Sequence, residues 1–166
     1  VSFINSLYSA FGLGICTEKS GIMLTNRGAC FTLKPDHANT FGPNKRPMHT
    51  IIPGMTMKDG NCDMSFGVMG GSYQPMGHAQ IILNMLDYGM DVQEAIDCPR
   101  FMFEDGKVLL EHGTPQKTID GLKARGHLVA DATLPWGGAQ TVKIDWQRGV
   151  LIAGSDPRKD GLALGY

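Results

Sequence analysis

The stretch Phe66-Gly67-Val68-Met69-Gly70-Gly71-Ser72-Tyr73-Gln74-Pro75-Met76-Gly77-His78 passes from an apolar run, through two glycines, into a segment patterned like a helix. Glycine permits a sharp backbone turn and a close approach by other atoms. The N–H groups at a helix start point outward without intrahelical partners and attract negative charge. A strand-to-helix turn through Gly70-Gly71 therefore reads in three ways: a cradle for phosphate, an oxyanion hole for acyl transfer, or a tight turn without chemistry. A phosphate loop of the G-x-x-x-x-G-K-[ST] type needs a lysine that does not follow here. A dinucleotide fingerprint needs G-x-G-x-x-G, which Gly67, Gly70 and Gly71 do not supply. The oxyanion reading asks only for two N–H donors beside a nucleophile, and it stays open beside the plain turn. Gly70-Gly71-Ser72 is not a G-x-S-x-G elbow.

Outward from this stretch, the chain alternates strand-like runs with helix-like ones. Ile51 to Met57 and Met64 to Met69 flank Lys58-Asp59-Gly60-Asn61, which predicts a hairpin. Ala79 to Leu86 is apolar on more than one side and predicts a buried helix. Asp91 and Glu94 have capping-box spacing, so a short helix is expected up to Cys98, stopped by Pro99. Phe101 to Phe103 and Val108 to Leu110 flank Asp105-Gly106, a second hairpin signal. Thr114 and Pro115 suit the N-cap and first position of a helix that ends near Arg125-Gly126. Ala139 to Trp146 and Val150 to Ala153 flank a third turn at Gln147-Arg148-Gly149. Residues 1–11 alternate apolar and polar side chains and read as a strand broken by Gly12-Leu13-Gly14. Ser20-Gly21 marks a turn, and residues 32–48, with three prolines, read as a long loop of the kind that often carries function. Strands in antiparallel pairs with inserted helices predict an α+β fold with helices covering a sheet.

The 166 residues suffice for one domain, 1–166, with a sizeable core. A hydrophobic content of 42% and a charged content of 19% are those of a globular chain, and the net charge of -1 gives no electrostatic basis for nucleic-acid or anionic-membrane binding. No apolar run approaches the roughly 20 residues of a membrane span. Cys16, Cys30, Cys62 and Cys98 are widely spaced, which favours free thiols in a reducing compartment such as the cytoplasm, although an even count permits disulfides. The five histidines lack ligand spacing, so neither zinc nor another cofactor is expected. The N-terminal Val1-Ser2-Phe3-Ile4 reads like the middle of a strand, as in a processed subunit or a fragment.

Other polar features admit two readings each. His49-Thr50, after the Pro43-Asn44-Lys45-Arg46-Pro47 loop, could contact substrate at a strand start or form a solvated loop end. Lys45-Arg46 reads as a solvated pair. His78 reads as a hydrogen-bonded packing residue rather than a general base. The tail from Ser155 to Gly161 reads as a turn fixed by local hydrogen bonds, or as a device that holds the C-terminus near a site.

Taken together, Phe11 to Ile15, Gly42 to Pro47, Pro53 to Gly60, Gly67 to Ser72, Leu86 to Met90, Glu94-Ala95, Pro99 to Phe101, Ser155 to Arg158 and Gly165-Tyr166 resemble, in order and over nearly the whole chain, the small subunit of the gamma-glutamyltranspeptidase family. The resemblance implies an N-terminal-nucleophile hydrolase with a four-layer αββα fold, made as a precursor that cuts itself into a large and a small subunit. The small subunit's new N-terminal threonine attacks an amide, its own α-amino group acting as base. By the resemblance this threonine lies roughly a dozen residues ahead of Val1, the partner is the large subunit of the same precursor in a possible dimer of heterodimers, and the substrate is a small-molecule amide. Gly70 and Gly71 fall on the family's oxyanion glycines, and Ser6 falls on the hydroxyl that supports the nucleophile.

The substrate-binding positions depart from the well-known members. Tyr8 stands where they have asparagine. Asn26-Arg27-Gly28-Ala29-Cys30-Phe31 stands where they have Asn-x-x-Asp-Asp-Phe, so that Cys30 replaces the aspartate that holds the glutamyl α-ammonium, a contact a neutral thiol does not reproduce. His49-Thr50 replaces the Ser-Ser pair that holds the α-carboxylate, and Arg27 nearby could bind a carboxylate. Cleavage of gamma-glutamyl amides, by hydrolysis or transfer to an amine, is the activity implied. The departures are similar to those of the transpeptidase-like and cephalosporin acylase branch, for which glutaryl-type or other acyl amides are the alternative. A non-catalytic relative that keeps the fold is a further alternative.

Overall fold

Asp59 and Gly60, with φ of 51° and 80°, reverse the chain between two strands, the left-handed geometry that suits the twist of a two-residue hairpin. The computed structural model describes residues 1–166, which divide into two units: Phe3–Ile52, and Pro53–Tyr166 together with Val1–Ser2.

In the larger unit the hairpin consists of β1 (Gly54–Lys58) and β2 (Asn61–Met69). β2 also pairs antiparallel with β6 (Gly138–Asp145), which pairs with β7 (Val150–Ser155), so the sheet runs β1-β2-β6-β7. Alternate residues of β2, Met64, Phe66 and Val68, are buried, the two-residue period of a strand with one covered face. Helices α1 (Gln74–Leu86) and α2 (Val92–Asp97) pack against β2, β6 and β7, and the core is Val68, Tyr73, Ile81, Val92, Ala95, Ile96 and Ala139. α2 carries the expected capping box: Asp91 accepts from the Glu94 N–H at 2.8 Å, and Glu94 accepts from the Asp91 N–H at 2.9 Å. A second sheet joins β3 (Phe101–Glu104) and β4 (Lys107–Leu110) antiparallel, with β5 (Leu128–Asp131) parallel to β4 after the crossover helix α3 (Gln116–Ala124). All three expected hairpins form.

The smaller unit has no extended strand. A 3-10 turn spans Arg27–Cys30, and single bridges join Cys16 to Met23 and Thr32 to Thr40. The turn at Ser20-Gly21 is present: the Gly21 N–H donates to the Thr17 carbonyl at 3.0 Å.

Three expectations are revised. Residues 1–11 form no strand; Tyr8 and Phe11 have φ of 80° and 56°, which breaks extension, and near the N-terminus Ser2 and Ser65 side chains bond the Phe66 and Val1 carbonyls in place of a ladder. α1 is buried on one face only, since Leu83 and Leu86 are exposed while Ile81 is buried. The cap of α3 falls on Pro115, and the Thr114 hydroxyl donates instead to the Glu111 carbonyl at 2.7 Å.

His78 completes the sheet. β1 ends opposite Phe66, so β2 continues to Met69 with only β6 beside it. The Val68 N–H donates to His78 Nε2 at 3.0 Å, which leaves the imidazole proton on Nδ1, and the ring packs edge-on against Phe66. Burial lowers the His78 pKa from its ordinary 6.5. A lowered histidine contributes stability that is complete above 6.5 and is lost as the pH falls through the folded value. Thermal stability is therefore expected to fall below pH 6.5, and His78→Phe is expected to cost about 1–3 kcal/mol at neutral pH, the penalty of an unpaired buried N–H, while flattening that part of the pH dependence. A variant whose melting retains the slope would show that another group titrates.

Candidate active site

β2 ends at Met69, opposite Gly138. Gly70 (φ 137°) and Gly71 (φ 58°) then turn the chain through a 3-10 turn, Gly71–Tyr73, into α1, whose first turn contains Pro75. The Tyr73 N–H closes the turn on the Gly70 carbonyl at 3.1 Å, whereas the N–H groups of Gly70 and Gly71 donate to nothing in the protein. Two adjacent free donors at a strand-to-helix turn can hold a carbonyl oxygen or an anion. The turn is pinned from behind. A Cβ on Gly70 would come within 3.0 Å of Gly137 Cα, and a Cβ on Gly137 would lie 2.5 Å from the Met69 carbonyl oxygen. Neither glycine tolerates a side chain, while a Cβ on Gly71 meets open space at a φ that still strains any other residue.

The loop that carries Gly137 is tied by buried charges. Arg100, 2% exposed, donates Nη1 to the Trp136 carbonyl at 2.7 Å and Nη2 to Asp156 Oδ2 at 2.6 Å. The same Asp156 oxygen accepts the Ala139 N–H at 2.7 Å, and Glu111 accepts the Trp136 N–H at 2.6 Å. Arg158 donates to Glu111 Oε2 at 2.6 Å and to Asp156 Oδ1 at 3.3 Å. Burial alone would raise the Asp156 carboxyl; the Arg158 and Ala139 N–H groups and the Arg100 guanidinium outweigh it and hold it below 3.8. Burial likewise opposes ionisation of Glu111, and its bonds to Arg158, Trp136 and Arg100 hold it below 4.5. The Tyr73 ring stacks on Trp136 with centroids 5.8 Å apart, and burial pushes its phenol far up.

Among the other residues singled out in the sequence, the smaller unit gathers Ser6, Tyr8, Arg27, Cys30 and Thr50. Arg27 donates Nη2 to Ser6 Oγ and Nη1 to Thr50 Oγ1, both at 3.0 Å, and its guanidinium carbon lies 5.1 Å from the centre of the Tyr8 ring. Ser6 Oγ also accepts the Tyr8 N–H at 3.0 Å. The neighbouring Cys30 thiol is the chief cause that raises the Tyr8 phenol from its ordinary 10.0, and the Cys30 carbonyl accepts from Asn39 Nδ2 at 2.6 Å. His49 is exposed and enters none of these bonds. All four cysteines are free thiols.

Over residues 1–166 the chain matches the family model described as Gamma-glutamyltranspeptidase. The chain belongs to the gamma-glutamyltranspeptidase family. It is similar to the glutathione hydrolase-like YwrD proenzyme of Bacillus subtilis, with 42% identity over 99% of this chain and 33% of that protein. It is also similar to the oxamate amidohydrolase proenzyme of Klebsiella pneumoniae, with 33% identity over all of this chain and 33% of that protein. The chain thus spans about a third of the length of these relatives. The crystal structure of cephalosporin acylase from Bacillus halodurans superposes with a TM-score of 0.88 at 38% identity, covering 97% of this chain and 31% of that one. The α+β arrangement is thus that of the family and its acylase relatives.

Within this family member, the sequence reading missed Gly137, Glu111 and the clamp as a unit. Arg100, Asp156 and Arg158 stand out in the sequence only as members of motifs. Their signal was charge directly abutting apolar runs: Arg100 before Phe101-Met102-Phe103, and Glu111 after Val108-Leu109-Leu110. Asp156→Ala is expected to destabilise the protein by about 3–5 kcal/mol in urea unfolding, because it leaves Arg100 buried and unpaired. Asp156→Ala combined with Arg100→Met is expected to cost less than the sum of the two changes. In the wild type, the Asp156 contribution is present above pH 3.8 and is lost as the pH falls through the lowered folded value. Strict additivity in the double variant would show that the pair is not coupled.

Proposed function

We propose that this chain is the small-subunit portion of an autoprocessed N-terminal-nucleophile amidohydrolase, acting on gamma-glutamyl-type amides, and that Gly70 and Gly71 are its oxyanion donors. The observation that carries this reading is the pair of free N–H groups on a turn clamped by Gly137. The family match and the proenzyme names of its relatives support it. In this reading the nucleophile is a threonine ahead of Val1, exposed by self-cleavage of a precursor whose other product is the large subunit. The complete enzyme has the αββα layering. Met55, Val142 and Leu151 are exposed on the sheet face opposite the one bearing Phe66 and Val68, an apolar surface suited to a second sheet.

The threonine Oγ forms a bond to the amide carbonyl carbon as its proton passes to the threonine's own α-amine. The carbonyl oxygen gains negative charge, and the Gly70 and Gly71 N–H groups hold it. The C–N bond then breaks, the α-amine returns the proton to the departing amine, and an acyl ester remains. Water attack gives the acid; amine attack gives a new amide. Ser6 has a defined part in this scheme. Its oxygen accepts from both Arg27 and the Tyr8 N–H, which uses its two acceptor positions and leaves its hydroxyl proton free to be donated to the nucleophile oxygen.

A second reading, acyl amides without an α-amino group, is favoured by the residue type at Cys30, a thiol in place of the carboxylate that would hold an ammonium. Gly70→Ala, whose Cβ would meet Gly137 Cα at 3.0 Å and so displace both donors, is expected to lower kcat roughly 10²–10³-fold; an unchanged rate would remove the pair from the mechanism. Changing the threonine ahead of Val1 to alanine is expected to abolish precursor cleavage, read by intact mass, and a precursor that still splits at the same bond would refute the nucleophile assignment.

A further inference from the structure

A single hydrogen bond joins β2 to α1, the two arms of the Gly70-Gly71 turn: the Val68 N–H donates to His78 Nε2 at 3.0 Å. Two glycines make room for it. A Cβ on Gly77 would lie 2.8 Å from Val68 Cγ1 and 2.7 Å from Tyr73 Cε1, so the residue ahead of His78 lets the helix press directly on the strand. A Cβ on Gly54 would lie 2.6 Å from the Phe66 ring. The first residue of β1 thus leaves that ring the space in which it packs against the imidazole, with centroids 4.9 Å apart.

The place of this bond matters more than its energy. On one edge β2 is held to its end by β6, with Met69 opposite Gly138. On the other edge β1 stops opposite Phe66, and His78 supplies the side-chain bond beyond it, two residues ahead of Gly70. Gly137 backs Gly70, whereas a Cβ on Gly71 meets open space. Gly71 is therefore directed by the helix that follows it, and where its N–H lies relative to that of Gly70 depends on how strand and helix meet.

We infer that His78 is a positioning residue for the oxyanion turn: by accepting the Val68 N–H it fixes α1 against β2, and so holds the Gly70 and Gly71 N–H groups at the spacing that receives one oxygen. The inference rests on the amidohydrolase reading above and adds a residue to it. The imidazole moves no proton in this role; its Nε2 serves as an acceptor. Donors held in place stabilise a developing oxyanion without rearranging at the moment of reaction. A misplacement of about 1 Å that originates away from the chemistry costs on the order of 10²-fold. The loss falls on kcat, because the donors meet their full charge only in the transition state.

The test uses the full-length processed protein with gamma-glutamyl-anilide or glutaryl-anilide, whichever turns over faster, at a temperature below the melting transition of every variant. His78→Phe keeps a ring and removes the acceptor; it is expected to lower kcat roughly 10- to 100-fold with little change in KM. His78→Gln, whose Oε1 stands as many bonds from Cα as Nε2 does, is expected to recover most of that loss. His78→Asn, whose acceptor stops one bond short, is expected to resemble the Phe variant, and it replaces that variant if the Phe protein does not process. A boronic acid that the nucleophile converts to a tetrahedral anion is expected to bind the Phe variant more weakly by the same factor as the fall in kcat, while the product acid binds as before. An unchanged kcat in His78→Phe, or a loss confined to KM, overturns the inference. A Gln variant as impaired as the Phe variant also overturns it, because the ring's packing is then what counts. If the wild type turns over neither anilide, the amidohydrolase reading fails and crystal structures of the variants decide the positioning role. A Gly70-Gly71 turn displaced in His78→Phe and restored in His78→Gln upholds it; a turn unmoved in His78→Phe overturns it.

Discussion

At Gly70 and Gly137 two stretches of backbone meet with no space for a side chain between them, and the arrangement around the β2–α1 turn depends on that contact. It holds the turn in a positive-φ conformation in which the N–H groups of Gly70 and Gly71 are left without partners. Such a turn needs a rigid opposing wall, because donors stabilise a developing negative charge best when they are held in place and do not turn toward other acceptors. The wall is the segment from Trp136 to Ala139. Its backbone groups are held on both sides of Gly137 by Arg100, Glu111 and Asp156.

The use of buried charge for this purpose has a physical logic. Each of the four ionic groups loses hydration, and ion pairs of this kind add little net stability compared with an apolar core of the same volume. Their directional bonds, however, reach backbone groups that an apolar side chain could not bond. Asp156 alone joins the guanidinium of Arg100 to the Ala139 N–H, and so ties the end of β7, the start of β6 and the loop ahead of β3. The smaller unit uses charge differently. Arg27 is oriented by hydroxyls and an aromatic ring, which position it without neutralising it. The four buried charges of the clamp are paired with one another, whereas Arg27 has no carboxylate partner.

Features governed by adjacent residues were legible in the sequence. The hairpins at Asp59-Gly60, Asp105-Gly106 and Gln147-Arg148-Gly149 form because those residues accept turn geometry regardless of distant context. The Asp91–Glu94 capping box is likewise a matter of spacing along one helix end. The misreadings were of features that need a distant partner. The alternation of residues 1–11 promised a strand, but a strand exists only where another supplies a ladder of hydrogen bonds. The apolar residues of α1 promised burial on several sides, yet the fold covers one face and leaves Leu83 and Leu86 exposed.

The candidate site divides in the same way. By itself, the sequence determined the α+β class, the turn at Gly70-Gly71, the family, and the departures at Tyr8, Arg27, Cys30 and His49-Thr50, because these are set by residue type and local order. Only the tertiary structure decided that His49 stays out of the Arg27 cluster, that Arg27 is buried without a counter-ion, and that Gly137 rather than a side chain backs the glycine pair. Arg100 and Asp156 lie 56 residues apart in the chain. A bond of that span leaves no periodic trace in sequence, because its geometry exists only after the elements carrying its two ends have packed.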